Sequence, residues 1–450
     1  MSTKFKSIYI IGVGGISMSA IARILHARGI KVYGSDIEKN SVVDALISDK
    51  IITFCLGDAP QFACECDAVT FSAAISPDNT DLMRARSNGV PIFTRAQILG
   101  MIASGKRTIS IAGTHGKSTT TGMISSIFLA AGLDPTIHIG GILKNIDSNV
   151  RIGKGEHFIT EACEYKDSFL SIKSDIAIIL NVAPEHLDYF VDFENELASF
   201  EEFASNTDEK GCVIVCADND GCRKLHINRK VVTFGIDSTA DVMAVNLQKG
   251  NGGKYSFDLT LAGRNLGRIC LPCPGRHNIY NALAACAAAI QSGIDFAAIA
   301  KGISQYKGLR RRFEILQWQG SNLFVHDYAH HPDEIIATLA QCRDMGFAHV
   351  LAIFQPHTFT RTRDFWEKFI QAFDDADQTI LLPVYPAREK PIKGISSLNL
   401  QQAMQKHGKD AIYFDTFDQC ESFIRKQNLE NTLVIFLGAG DIEHLAYRFS

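Results

Sequence analysis

At 450 residues the chain exceeds what one hydrophobic core organises, so two or three domains are expected. The composition is globular, 46% hydrophobic and 21% charged with a formal net charge of -4, which argues against a nucleic-acid partner held by bulk charge. No charge-free apolar run reaches the ~18 residues of a membrane span, no cleavage site follows Lys4 and Lys6, and twelve cysteines are too sparse for a disulfide framework; a cytoplasmic protein without membrane insertion is expected.

In chain order, short β-branched runs first alternate with helical stretches: Ser7 to Gly12, Ser17 to Arg28, Lys31 to Asp36, Ala68 to Ser72 and Asp78 to Asn88. That rhythm predicts βαβ units on a parallel sheet. A second strand-loop-helix unit opens at Thr108 to Ala112, continues through a helix from about Ser118 to Ala131, and is extended by Ala177 to Leu180 and Val213 to Cys216. From Val242 to Leu271, strand-like segments broken by Gly250, Gly252, Gly253 and Gly263 predict a small antiparallel patch, followed by a buried Ala-rich helix, Asn278 to Ala289. After Gly308 and the run Arg310 to Arg312 the alternation restarts with Leu323 to Asp327, Asp333 to Cys342, Val350 to Phe354, Thr379 to Val384 and Thr432 to Gly438, which places a domain boundary near 308.

The segment Gly113-Thr114-His115-Gly116-Lys117-Ser118, between a predicted strand and helix, has the context of a phosphate loop: helix N–H groups and an ammonium for a triphosphate, a hydroxyl for magnesium. The eight-residue pattern is incomplete, since Ile111 stands at its first glycine. As an exposed loop residue Lys117 is expected to contribute little to stability. Gly12, Gly14 and Gly15 lie in a turn that resembles a dinucleotide fingerprint with Ser17 at the third glycine and Asp36 near the place of a ribose-binding acid; such a turn holds any diphosphate.

Metal ligands are expected at strand ends beside the phosphate loop, where Glu161 or Glu164 offers hard oxygen; by residue type alone His186 reads as a hydrogen-bonded surface residue. The histidines of His326-Asp327-Tyr328-Ala329-His330-His331-Pro332 raise the question of zinc, but Pro332 breaks the helix that would align His326 with His330. Arg361 and Arg363, in Gln355-Pro356-His357-Thr358-Phe359-Thr360-Arg361-Thr362-Arg363, suit a carboxylate or a phosphate.

Together with FSAAIS at 71 to 76, PGRHNIYNALAA at 274 to 285, LRRRFE and FLGAGDI, these segments resemble the Mur ligases of bacterial cell-wall synthesis over nearly the whole chain. The resemblance implies an α/β protein of three domains: a Rossmann-like UDP-sugar domain over 1–104, a central P-loop-type ATPase domain with a parallel sheet over 105–307, and a Rossmann-like C-terminal domain over 308–450 that closes on the active site. The implied reaction joins L-alanine to the carboxylate of UDP-N-acetylmuramate through an acyl phosphate, in the synthesis of peptidoglycan precursors. Attaching a whole tripeptide to the same nucleotide is the alternative, against which FQPHTFTRTRD argues. A nicotinamide oxidoreductase rests on the turn at Gly12 alone, and a regulator that binds ATP without turnover is a third reading.

Carried over by position, Lys117, His330 and Arg361 are the implied catalytic residues. Gly113, Thr114, His115, Gly116, Ser118, Thr119, His277, Asn278, Asn281 and Arg312 would meet ATP. Gly12, Gly14, Gly15, Ser35, Asp36, Ser72 and Arg95 would line the UDP sugar, and Asp327, Tyr328, His330 and Arg361 the amino-acid site. Magnesium, or manganese in its place, would be held by Ser118, Glu161 and His186, which reverses the reading of His186 by residue type. A monomer or homodimer is expected. Two departures stand out: Thr358 occupies a place where many relatives carry arginine, and 187–208 holds no lysine for the carbamylated residue of the later ligases of this pathway.

Overall fold

The structure, a computed structural model, describes residues 5–72, 74–185, 187–387 and 389–450, which form two compact units. The first runs to Gln248 and adds Ser256–Pro272 and Arg276–Lys307; the second takes Gly308–Ser450 with Lys249–Tyr255 and Cys273–Gly275. Among the described residues there are three sheets, of five, ten and six strands. No helix among them is long and apolar enough to cross a membrane.

In the first unit, the five-stranded sheet is parallel throughout, in the order Ile52–Leu56, Lys31–Asp36, Ser7–Ile11, Val69–Phe71, Ile92–Thr94. Helices cover both faces, so the strand Ser7–Ile11 reads as a continuous apolar run with Ile8, Tyr9 and Ile10 fully buried. The strand order reverses beside Ser7–Ile11, and the carboxyl end of that strand, where such sheets bind ligands, carries the glycine turn.

The ten-stranded sheet sets the strand Arg107–Ala112 between Ile176–Ile179 and His157–Glu161, parallel to both. The helix Lys117–Ala130 follows it, buried from Thr120 to Phe128. Its run of threonine and serine is poor helix-forming sequence, yet the hydroxyls of Thr121 and Ser125 bond back to the carbonyls of Lys117 and Thr121 at 2.8 and 2.7 Å, so neither hydroxyl is stranded in the core. The helix Phe296–Ser304 crosses it closely at Gly302, where an added Cβ would stand 2.3 Å from Ile127 Cα. The glycine-broken segment resolves into three neighbouring strands, Val242–Lys249, Lys254–Leu261 and Arg264–Pro274, with the glycines in the turns between them.

In the second unit, the six-stranded sheet has the order Glu314–Gln319, Asn322–Asp327, Thr432–Leu437, His349–Phe354, Gln378–Leu381, Ala411–Tyr413; the first pair is antiparallel and the rest parallel. Two apolar clusters bury its faces, one around Val325, Leu339, Phe354 and Phe369, the other around Phe324, Ile353, Phe436 and Phe449. The segments Lys249–Tyr255 and Cys273–Gly275 are tied into this unit by Asp344, which accepts from Lys249 Nζ at 2.5 Å and Tyr255 OH at 3.1 Å, and by Gln341 Nε2 donating to the Pro274 carbonyl at 3.2 Å.

Candidate active site

The phosphate-loop sequence forms the connection expected of it. Gly113 and Gly116 take φ of +131° and +88°, which L side chains rarely adopt, and Gly116 caps the 14-residue helix Lys117–Ala130. The segment after the neighbouring strand clamps the loop. Thr114 N and His115 N donate to the carbonyl and side-chain oxygens of Asn181 at 3.1 and 2.8 Å, Asn181 Nδ2 returns a bond to the His115 carbonyl at 3.0 Å, and Ala183 N donates to Thr114 Oγ1 at 3.0 Å. Asn281 braces the opposite side: its Oδ1 accepts from Thr120 Oγ1 at 3.2 Å and its Nδ2 donates to Asn278 Oδ1 at 2.9 Å. His277 is exposed at the start of the helix His277–Gln291, which also carries Asn278 and Asn281, and Ser118 and Thr119 are half-buried in the first turn after the loop.

Lys117 is not an exposed loop lysine, as its position in the sequence suggested. Its Nζ donates to the carbonyls of Gly113 and Thr114 at 2.5 and 3.1 Å and pairs with Glu164 Oε1 at 2.9 Å, where Glu164 is only 1% exposed. Burial is the largest single influence and would depress the ammonium pKa, but the charge and hydrogen bond of Glu164, with the neighbouring Cys163 and Glu185, together raise it above the ordinary lysine value.

The two acids offered as metal ligands are thereby separated. Glu164 is the counter-ion of Lys117, whereas Glu161, at the end of its strand, accepts from Gly140 N at 2.6 Å. Ser118 and Glu161 supply hydroxyl and carboxylate oxygen, the donor chemistry a hard divalent cation selects. His186, the third expected ligand, lies outside the described residues.

Glu196, which the sequence does not single out, is fully buried nearby, its Oε2 accepting from Glu185 N at 3.2 Å. Burial, with the negative charges of Glu164 and Glu185, pushes its carboxyl up to about 7. The folded chain therefore keeps a proton that the unfolded chain releases above its ordinary value of 4.5, and wild-type stability falls relative to a neutral isostere as pH rises from about 4.5 to 7. Glu196→Gln is expected to stabilise the protein by on the order of 2 kcal/mol at pH 8 and by nothing at pH 4. Thermal unfolding at the two pH values checks this, and an equal shift at both would contradict it.

At the first sheet's switch point, Gly12 N and Val13 N donate to the Ser35 carbonyl at 2.8 and 3.0 Å, and Gly14 N donates to Asp36 Oδ2 at 2.9 Å. The turn is thus held by the neighbouring strand end. The Ser35 hydroxyl faces inward, 2.6 Å from Tyr9 OH, so Ser35 supports the turn through its backbone. Ser72 comes up against Gly12, where an added Cβ would stand 3.0 Å from Ser72 Cβ, and Arg95 Nη1 donates to Ser17 Oγ at 3.2 Å. Gly15 is exposed and caps the helix Ile16–Ala27.

In the second unit the expected amino-acid residues gather at the carboxyl edge of the six-stranded sheet. Both carboxylate oxygens of Asp327 are taken by backbone, Oδ2 by Phe313 N at 2.6 Å and Oδ1 by Ala329 N at 2.8 Å, so Asp327 shapes the turn that presents Tyr328 and His330. The Tyr328 ring lies under the guanidinium groups of Arg311 and Arg312 at 4.6 and 5.4 Å. His330 Nδ1 lies 2.9 Å from the Tyr328 carbonyl, and its ring faces His357 at 5.7 Å. Arg361 Nη1 donates to His357 Nδ1 at 3.1 Å; burial, with the charges of His330 and Arg361, pushes that imidazole down to about 4.

His357, stacked on Tyr385, therefore joins the set although the sequence reading gave it no role. His326, named in the question of zinc, stays apart from it: its ring is wholly buried against Tyr447. Thr358, at φ +68°, caps the helix Phe359–Asp364 by accepting from Arg361 N at 3.4 Å.

Family resemblance to known proteins extends from residue 7 to residue 440. Residues 7–107 match the profile of the Mur ligase family catalytic domain, 111–289 the Mur ligase middle domain, and 311–440 the Mur ligase glutamate ligase domain. The chain is 40% identical to the UDP-N-acetylmuramate–L-alanine ligase of Caldanaerobacter subterraneus subsp. tengcongensis, over 99% of this chain and 97% of that one. It is also 40% identical to the ligase of the same name from Lachnospira eligens, over 97% and 96%. The crystal structure of UDP-N-acetylmuramate-alanine ligase from Thermotoga maritima superposes with a TM-score of 0.82 at 28% identity, over 99% of this chain and 98% of that one. A murein peptide ligase from Psychrobacter arcticus shares the fold, with a TM-score of 0.71 at 21% identity over 99% and 98%.

Proposed function

This chain belongs to the Mur ligase family, with the three-domain α/β fold of that family, and we propose that it joins L-alanine to the carboxylate of UDP-N-acetylmuramate at the expense of ATP. The observation that carries the reading is the clamped phosphate loop, with the Lys117 ammonium held at its mouth, in a chain 40% identical over 99% of its length to an enzyme named for this reaction.

The domains are assigned as 1–104 for the sugar nucleotide, 105–307 for ATP and 308–450 for the amino acid. The muramyl carboxylate attacks the γ-phosphorus of ATP, the bond to the β-phosphate oxygen breaks, and ADP leaves. The free amine of L-alanine then attacks the acyl carbon, phosphate departs with the bonding pair, and the amine loses a proton as the amide forms. Activation is needed because a carboxylate at neutral pH has no adequate leaving group.

Gly113 to Thr119 are assigned to the phosphates, with the N–H groups of Thr114 and His115 spent on Asn181 and those from Gly116 to Thr119, with the Ser118 and Thr119 hydroxyls, left to meet them; Lys117 offsets the charge that develops on the moving phosphoryl group, an electrostatic role. His277, Asn278, Asn281 and Arg312 are assigned to the rest of ATP. Ser118 and Glu161, with His186, would hold a magnesium ion, which would neutralise phosphate charge there. The sugar nucleotide is assigned to Gly12, Gly14, Gly15, Asp36, Ser72 and Arg95, with Ser35 acting through its carbonyl. Tyr328, His330 and Arg361 are assigned to the incoming amino acid, and Asp327 to holding their turn.

Phosphate release from ATP with UDP-N-acetylmuramate, measured against a panel of amino acids and the tripeptide, tests the reading. Release is expected with L-alanine. Release with the tripeptide and none with L-alanine would move the chain to the recycling reaction instead.

A further inference from the structure

His138 lies on the strand Thr136–Leu143, 3% exposed, with both ring nitrogens engaged. Nε2 is 3.0 Å from Ser17 Oγ, in the first turn of the helix after the glycine turn, and Nδ1 is 3.0 Å from Thr160 Oγ1. Ser17 Oγ also receives Arg95 Nη1 at 3.2 Å, and Thr160 Oγ1 donates to the Glu161 carbonyl at 3.1 Å. Five residues from four separate stretches of the sequence thus form one file from Arg95 to Glu161.

The direction of that file follows from its donors. A guanidinium only donates, so Ser17 Oγ is an acceptor toward Arg95, and its single proton is left for His138 Nε2. Thr160 Oγ1, which donates to the Glu161 carbonyl, accepts from Nδ1–H, so in a neutral ring Nε2 is the bare nitrogen and takes the Ser17 proton. Burial and the neighbouring Arg95 charge keep the imidazole neutral, its pKa pushed down to about 3, so its one proton sits on Nδ1. That N–H donates to Thr160 Oγ1, whose own proton is committed to the Glu161 carbonyl. Each donor has one acceptor and every link points the same way. The strand carrying His138 also pairs with the strand carrying Glu161, His138 opposite Thr160, and two residues on, Gly140 N holds the Glu161 carboxylate at 2.6 Å.

We propose that His138 is a positioning residue that sets Arg95 and Glu161 together: through Ser17 it holds the guanidinium beside the glycine turn, and through Thr160 it holds the strand end from which the Glu161 carboxylate emerges. The proposal rests on the assignment of Arg95 to the sugar nucleotide and Glu161 to the metal ion, and adds a residue that touches neither. Because the two halves of the file use different ring nitrogens, they can be cut separately. His138→Leu fills the volume and removes both links, His138→Gln places an amide near the Nε2 position, and His138→Asn places one near Nδ1.

Calorimetry without ATP or metal is expected to show UDP-N-acetylmuramate binding about tenfold more weakly to His138→Leu and His138→Asn, the scale of one lost hydrogen bond, and near wild-type strength for His138→Gln. The magnesium concentration giving half-maximal turnover is expected to rise about tenfold in His138→Leu and His138→Gln and to return toward wild type in His138→Asn. Nitrogen-15 spectra of the wild-type imidazole, which need no turnover, should show the proton on Nδ1.

A proton on Nε2, unchanged affinities in all folded variants, or an equal loss in Gln and Asn variants would each overturn the proposal; if His138→Leu fails to fold, the Gln and Asn comparison decides. A wild-type protein that binds the sugar nucleotide but releases no phosphate with L-alanine would sink the functional reading and leave the tautomer and binding results standing on their own.

Discussion

Lys117→Ala is expected to remove ATP-dependent phosphate release by on the order of 10³-fold and also to destabilise the protein. The first effect follows from the electrostatic work assigned to the ammonium. The second follows from Glu164, which is 1% exposed and has its Oε1 2.9 Å from Lys117 Nζ. Removing the lysine takes the paired cation from a buried carboxylate, and cutting one partner from such a pair costs roughly 3 kcal/mol.

The double variant Lys117→Ala with Glu164→Gln separates the two effects. The neutral amide no longer needs the cation, so stability should recover to within about 1 kcal/mol while turnover stays lost. Denaturant unfolding and phosphate release on the three proteins check both halves. A single variant as stable as wild type would show that the pair is not maintained in solution, and one with substantial turnover would remove Lys117 from the mechanism.

The phosphate loop was legible in the sequence because everything that defines it is local: an apolar strand, two glycines, a lysine and a helix within about 25 residues. The glycine turn at Gly12 was legible for the same reason. What the sequence could not show is which partner each polar group takes when the partner is remote. Glu161 and Glu164 were equivalent as offered ligands, and only the end of the strand at Glu161 turns one toward Gly140 and the other toward Lys117.

The family resemblance places Ser35 along the UDP sugar, but the two-residue period of the strand sends its hydroxyl inward to Tyr9. The histidine run splits in the same way. His326 is inside the strand Asn322–Asp327 and buried, His330 lies in the turn, and His331 caps the helix Pro332–Asp344 together with Glu334. Thr358 departs from the expected arginine and is used as a helix cap, which explains its conformation but not what takes the arginine's place.

Gly116→Ala is the second substitution expected to have a large effect, because it combines two costs at one atom. At φ +88° an L residue is strained by about 1–2 kcal/mol. The new Cβ would also stand 2.4 Å from Asn281 Oδ1 and 3.2 Å from Leu180 Cδ1. Asn281 has little freedom to retreat, being 6% exposed and tied to Thr120 and Asn278. The loop must therefore move away from its brace, tilting the N–H groups assigned to the phosphates. Affinity for a nonhydrolysable ATP analogue should fall at least tenfold, beyond what strain alone produces.

Gly132→Ala supplies the comparison. Gly132 has φ +74°, but nothing lies within 4 Å of its added Cβ and it follows the far end of the same helix, so it carries the strain without the collision. It is expected to lower the unfolding temperature modestly and to leave analogue binding unchanged. If the two variants weaken binding equally, Asn281 does not brace the loop, and the contact between the start of one helix and the side of the other is incidental to nucleotide binding.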